Sequence, residues 1–62
     1  MQRIIMFKKL DEEGVKKIEA LFVNEDFKVE VSIYSKSITI YGNNDTLAYV
    51  KRTLLYNGFE II

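Results

Sequence analysis

Phe27-Lys28-Val29-Glu30-Val31-Ser32-Ile33 and Ser37-Ile38-Thr39-Ile40-Tyr41 decide the fold of this chain. Apolar and polar residues alternate strictly through the first stretch and again through the second, the period of a strand with one face buried. The joint between them, at Ser35-Lys36, has no Gly or Asn. The pairing of the two stretches as a hairpin therefore rests on the flanking alternation and not on turn chemistry.

Helical spacing appears on either side of this hairpin. Upstream, Val15, Ile18, Leu21 and Phe22 recur on one face of a helix. Asp11 is placed as its N-cap, Leu10 and Val15 as a hydrophobic staple, and Glu12–Lys16 and Glu13–Lys17 as favourable i,i+4 pairs. Downstream, Gly42-Asn43-Asn44-Asp45 reads as a turn, with Asn44 or Asp45 capping a second helix whose Leu47, Val50 and Leu54 share a face. Asn57-Gly58 reads as the stop of that helix. Arg3 to Phe7 and Phe59 to Ile62 are apolar and short, and read as the outermost strands.

The resulting order is strand, helix, strand, strand, helix, strand. It predicts an α+β, ferredoxin-like βαββαβ sandwich, a four-stranded antiparallel sheet of order 4-1-3-2 with both helices on one face. The expected core takes Ile4 and Met6 from the first strand, with Phe27, Val29, Val31, Ile33, Ile38 and Ile40 from the hairpin. Val15, Ile18, Phe22, Leu47, Val50 and Leu54 add the helices, and Phe59 and Ile61 the last strand. In this phase Ile5, Phe7, Tyr34 and Tyr41 face outward.

Composition bounds the function. Sixty-two residues make one domain, 1–62. Nine basic and nine acidic side chains cancel, so no global field draws the chain to nucleic acid or to anionic membranes. Apolar runs of a few residues fall far short of the roughly 20 that span a bilayer. The start of the chain has no signal-like apolar stretch, and a cytoplasmic location is the expectation. With no Cys and no His, the commonest nucleophiles, bases and soft metal ligands are missing. No glycine-rich phosphate loop is present either, so the chain is read as non-enzymatic and as holding no cofactor. Asp11, Glu12 and Glu13 are a carboxylate cluster, but successive helical side chains diverge by about 100° and do not converge on one cation. They suit a helix N-terminus instead. Met1 and Met6 are the remaining soft donors, and Met6 is read as inward-facing.

Leu10-Asp11-Glu12-Glu13-Gly14-Val15-Lys16-Lys17-Ile18 and Leu54-x-x-x-Gly58-Phe59-Glu60-Ile61 carry a resemblance. The chain resembles the heavy-metal-associated (HMA) domains of copper chaperones and metal pumps along nearly its whole length. That resemblance implies the same ferredoxin-like frame, with a Cys-x-x-Cys metal motif ahead of the first helix. Here its two Cys positions are Asp11 and Gly14. The family's cargo is therefore not implied for this chain.

Three functional readings follow. The first is an HMA-like protein-interaction module without metal ligands. It would bind an unknown protein or a second copy of itself through Ile5, Phe7, Tyr34 and Tyr41 on the open sheet face, or through the loop at Asp11. The second is a small-ligand regulatory module similar to ACT domains, which share this order of elements. Their ligand loop usually carries Gly, where this one is Lys8-Lys9-Leu10-Asp11. The third is a divergent heavy-metal-binding or transport protein. RNA-binding modules with an open sheet face carry a Gly-aromatic run flanked by basic residues, and Ser37 to Tyr41 has none. Tyr49, Leu55 and Tyr56 on the second helix form a further candidate patch.

Overall fold

The computed structural model describes residues 2–62. Its elements follow the order β1 (Gln2–Met6), α1 (Glu12–Leu21), β2 (Lys28–Ser32), β3 (Ser37–Tyr41) and α2 (Asn44–Tyr56). The sheet has three antiparallel strands in the order β1-β3-β2. The central strand is thus the second half of the hairpin, whose Ile38 and Ile40 are completely buried.

The four-stranded sheet expected from the sequence is corrected to three strands. The cause lies at the end of α2. Gly58 takes φ +87°, its N–H bonds to the Leu55 carbonyl (3.1 Å), and the Phe59 N–H returns to the Leu54 carbonyl (3.1 Å). This Schellman closure uses the chain up to Phe59 to satisfy helix carbonyls. Only Glu60 to Ile62 then run beside β1. They form a single antiparallel bridge, Phe7 opposite Ile61, through Lys8 N–H to Glu60 O (3.0 Å) and Ile62 N–H to Met6 O (3.0 Å).

A second correction concerns β1. Ile5 pairs with Ile38 and Arg3 with Ile40, so Arg3, Ile5 and Phe7 share the inner face with the buried isoleucines of β3. Ile5 and Phe7 are buried, 6% and 1% exposed, while Ile4 and Met6 stand 60% and 43% exposed on the other face. The expected phase is therefore inverted, and every side chain of the strand changes sides. Residues 4–7 are all apolar, so alternation cannot choose between the phases. Of the two polar residues, Gln2 stands on the outer face and Arg3 marks the wrong one. It lies on the inner face near the first turn of α2, where its guanidinium donates to the Asn44 side-chain oxygen (2.7 Å).

The hairpin bends earlier than its alternation implies. Ile33 to Lys36 form the turn, Lys36 takes φ +50°, and Ile33 is 38% exposed instead of lying in the core. Both helices are capped as their sequences dictate, one of them a residue earlier than expected. Asp11 Oδ1 accepts from the Gly14 N–H (2.7 Å) ahead of α1. Asn43, not Asn44 or Asp45, accepts from the Thr46 N–H (3.0 Å) ahead of α2. The core joins Ile5, Phe7, Ile38 and Ile40 of the sheet to Ile18 and Phe22 of α1 and its exit and to Val50 and Leu54 of α2.

Candidate interaction surface

Both helices cover one face of the sheet, the face that carries the core. The opposite face is built by alternate residues of each strand: Gln2, Ile4 and Met6 from β1, Ser37, Thr39 and Tyr41 from β3, and Lys28, Glu30 and Ser32 from β2. Ile62 joins Met6 on this side, since Ile61, its neighbour, pairs with the inward Phe7. The face is divided by chemistry. Ile4, Met6 and Ile62 make its β1 side apolar, with Ile62 79% exposed. Its β2 side is charged, with the Lys28 ammonium 3.4 Å from the Glu30 carboxylate. Tyr41 joins the two sides, exposed at its edge and 5.9 Å by ring centroid from Lys28 Nζ.

Of the four residues expected on this surface, the structure leaves one. Tyr41 is there. Ile5 and Phe7 are core residues and are corrected as contact residues. Tyr34 is almost fully exposed but sits in the turn between β2 and β3, away from the face. Ile4, Met6 and Ile62 take the vacated role. The run Ile4 to Phe7 does not identify Ile4 and Met6, because an unbroken apolar run has no period to read; Gln2, in phase with both, is the only signal in the strand that points to them.

The loop at Asp11 has a different character. Asp11, Gly14, Lys9, Lys36 and Glu60 line a shallow cleft of about 280 Å³ beside Phe59. The Lys9 ammonium approaches the Glu60 carboxylate at 3.9 Å, with both side chains in solvent. The Asp11 carboxylate is occupied as the cap of α1. A Cβ at Gly14 would lie 3.1 Å from Leu10 Cδ1 and 3.4 Å from Phe59 Cε1, so glycine allows the loop and Phe59 to approach the helix closely. Among the described residues, no three His, Cys, Asp or Glu side chains stand close enough to share a metal ion. Met6 faces solvent and not the core. Met1 lies outside the described residues.

The α2 patch is partly an internal structure. Tyr49 packs edge-on against Phe22 and Phe27 with centroids 6.4 and 6.1 Å away, and its hydroxyl donates to Glu25 at 2.6 Å. That hydrogen bond to a carboxylate is the main cause holding the Tyr49 phenol above its ordinary pKa. Leu55 and Tyr56 remain exposed.

No helix among the described residues is long and apolar enough to cross a membrane. Compared with protein-family models, with curated proteins and with solved structures, the chain matches none.

Proposed function

We propose that this chain is a non-catalytic protein-interaction module, and that its contact with another protein is made by the uncovered sheet face. The observation that carries this reading is the cluster of Ile4, Met6 and Ile62, each exposed, beside Tyr41 on a face that no helix covers. Antiparallel sheets ordinarily turn polar residues to water on such a face. An apolar side at β1 with a charged flank at Lys28 and Glu30 has the composition of an interface core and part of its rim.

The composition supports the absence of catalysis, since neither His nor Cys is present to act as base or nucleophile. Leu10 to Ile18 resembles the start of an HMA domain, and descent of this segment from such a domain is part of the proposal. At its two metal positions, Asp11 caps a helix and Gly14 makes room for packing, so the reading places the working surface on the sheet and not on the loop.

The test is affinity capture from a source lysate, followed by amide chemical shifts of the labelled chain with the captured partner purified. Shifts centred on residues 2–6, 39–41 and 62, with loss of binding in Ile4→Glu, are the expected result. Shifts confined to 8–17 would overturn this reading in favour of the loop.

A further inference from the structure

In the order β1-β3-β2, strand β2 is bonded on one side only, so its outer side presents unpaired backbone N–H and C=O groups. Two clefts open along this edge between β2 and the overlying α1. Val15, Val31 and Ile33 share one with charged side chains of α1, Phe22, Val23, Phe27 and Val29 share the other with Glu19, Glu25 and Lys28, and no β3 residue lines either. The inward side chains Val29 and Val31 are consequently only half-buried, and Val23 is 72% exposed. The edge is thus open, with valines at its floor and charged side chains at its helix side.

Charged side chains on an edge strand normally discourage a further strand. Here their spacing does the opposite. Lys28 and Glu30 flank Val29 symmetrically on the outer face. An antiparallel copy of β2 placed with Val29 opposite Val29 sets Lys28 against Glu30 of the second copy, and Glu30 against its Lys28. Phe27 then opposes Val31 on the inner face. Moving the register to centre on Glu30 sets glutamate against glutamate, and centring on Val31 leaves both charges without opposite partners. Paired residues share a face, so a two-fold axis normal to the sheet keeps all helices on one side and brings the half-buried Val29 and Val31 of the two copies together.

We propose that the occupant of this edge is a second copy of the chain, joined β2 to β2 in the register that centres on Val29, as one continuous six-stranded sheet. The edge shares Lys28 and Glu30 with the rim of the face of the proposed function but not its apolar residues Ile4, Met6 and Ile62, so Ile4→Glu distinguishes the failure of one from the failure of the other.

The test is a charge swap read by sedimentation equilibrium over a range of concentrations. The wild-type chain is expected to dimerise. Lys28→Glu alone and Glu30→Lys alone each set like charges opposite one another twice and should weaken the dimer roughly tenfold or more. Both variants also lose the intramolecular Lys28–Glu30 contact, so their mixture is the decisive sample. In the mixture, a chain with two glutamates meets a chain with two lysines, and the heterodimer should recover the wild-type affinity although neither chain has regained its internal pair. The double swap Lys28→Glu with Glu30→Lys should dimerise as well. A wild-type chain that stays monomeric at every concentration overturns the proposal. So does a dimer indifferent to the swaps, or one abolished by Ile4→Glu. Circular dichroism of each variant separates loss of fold from loss of association.

Discussion

Phe59 lies against Phe7 with ring centroids 5.8 Å apart and planes inclined at 56°. One ring belongs to the closing turn of α2 and the other to the end of β1. The pair ties the helix layer to the sheet where a fourth strand would otherwise run. Lys17 of α1 reaches the same place, its ammonium 5.7 Å from the Phe59 ring centroid and 3.4 Å from the Asn57 carbonyl at the C-terminus of α2. The single Phe7–Ile61 bridge is therefore backed by side-chain packing more than by a ladder.

Truncating Phe7 to Ala should cost about 3–5 kcal/mol, since the ring is fully buried. In a domain this small, that is most of the stability. A double-mutant cycle of Phe7→Leu with Phe59→Leu, measured by urea denaturation, should give a coupling of about 0.5–1.5 kcal/mol. A coupling near zero would mean that the two rings do not support each other.

The phase of β1 is tested by its own neighbours. Ile5→Ala should cost about 2–5 kcal/mol, whereas Ile4→Thr, which keeps the branched side chain on the open face, should stay within about 0.5 kcal/mol. The opposite ranking would restore the phase that Arg3 implies.

That inversion shows where the sequence is legible and where it is not. Ser37-Ile38-Thr39-Ile40-Tyr41 alternates, and its inward isoleucines are the most buried residues of the sheet. Val29 and Val31 point the same way. Both helices, the Asp11 cap and the Gly58 stop follow from local chemistry. The first strand has no alternation, so its phase depends on pairing with β3, which is non-local. The surface inherits that ambiguity: Tyr41 was readable, while Ile4 and Met6 exchanged places with Ile5 and Phe7. The missing fourth strand has a similar origin. A glycine stop is visible in the sequence, but the number of residues that the closure consumes is not.

Backbone handedness gives a paired prediction. Lys36 and Gly58 both take positive φ, +50° and +87°. Lys36→Gly removes a Cβ from a left-handed position and should stabilise the fold by up to about 1 kcal/mol, the steric cost outweighing the added freedom of the unfolded chain. Gly58→Ala introduces such a Cβ and should destabilise by about 1–2 kcal/mol, although nothing lies within 4 Å to clash with it. Thermal unfolding of the two variants should move in opposite directions.

The Tyr49–Glu25 hydrogen bond sets an alkaline limit. The phenol is held above its ordinary pKa first by this bond, then by desolvation and by the charge of Glu25. Folding therefore favours the protonated phenol. The stability it contributes is fully present below the unfolded-state pKa of tyrosine and is lost as pH rises through the raised folded value. Ultraviolet titration of the tyrosines should show a late-titrating group that disappears in Tyr49→Phe and moves towards ordinary behaviour in Glu25→Gln. A titration unchanged by Glu25→Gln would remove the assigned cause.

The loop at Asp11 and Gly14 supplies the last prediction. Copper(I) and zinc favour thiolate and imidazole ligands, and this chain has neither. The wild-type chain should surrender both ions completely to a competing chromophoric chelator. Asp11→Cys together with Gly14→Cys places two thiols at the start of α1, where the helix dipole favours the thiolate form. The pair should retain metal against the same chelator. It should also pay for it in stability, by about 0.5–2 kcal/mol for the lost cap, with a further loss where the new Cβ at position 14 presses on Leu10 at 3.1 Å. Asp11→Asn, which keeps a capping oxygen and adds no thiol, should show neither effect. Stoichiometric retention by the wild type would disprove the reading of this loop as a helix cap alone. Failure of the double variant to retain metal while still folded would show that the loop does not bring the two positions to a common point.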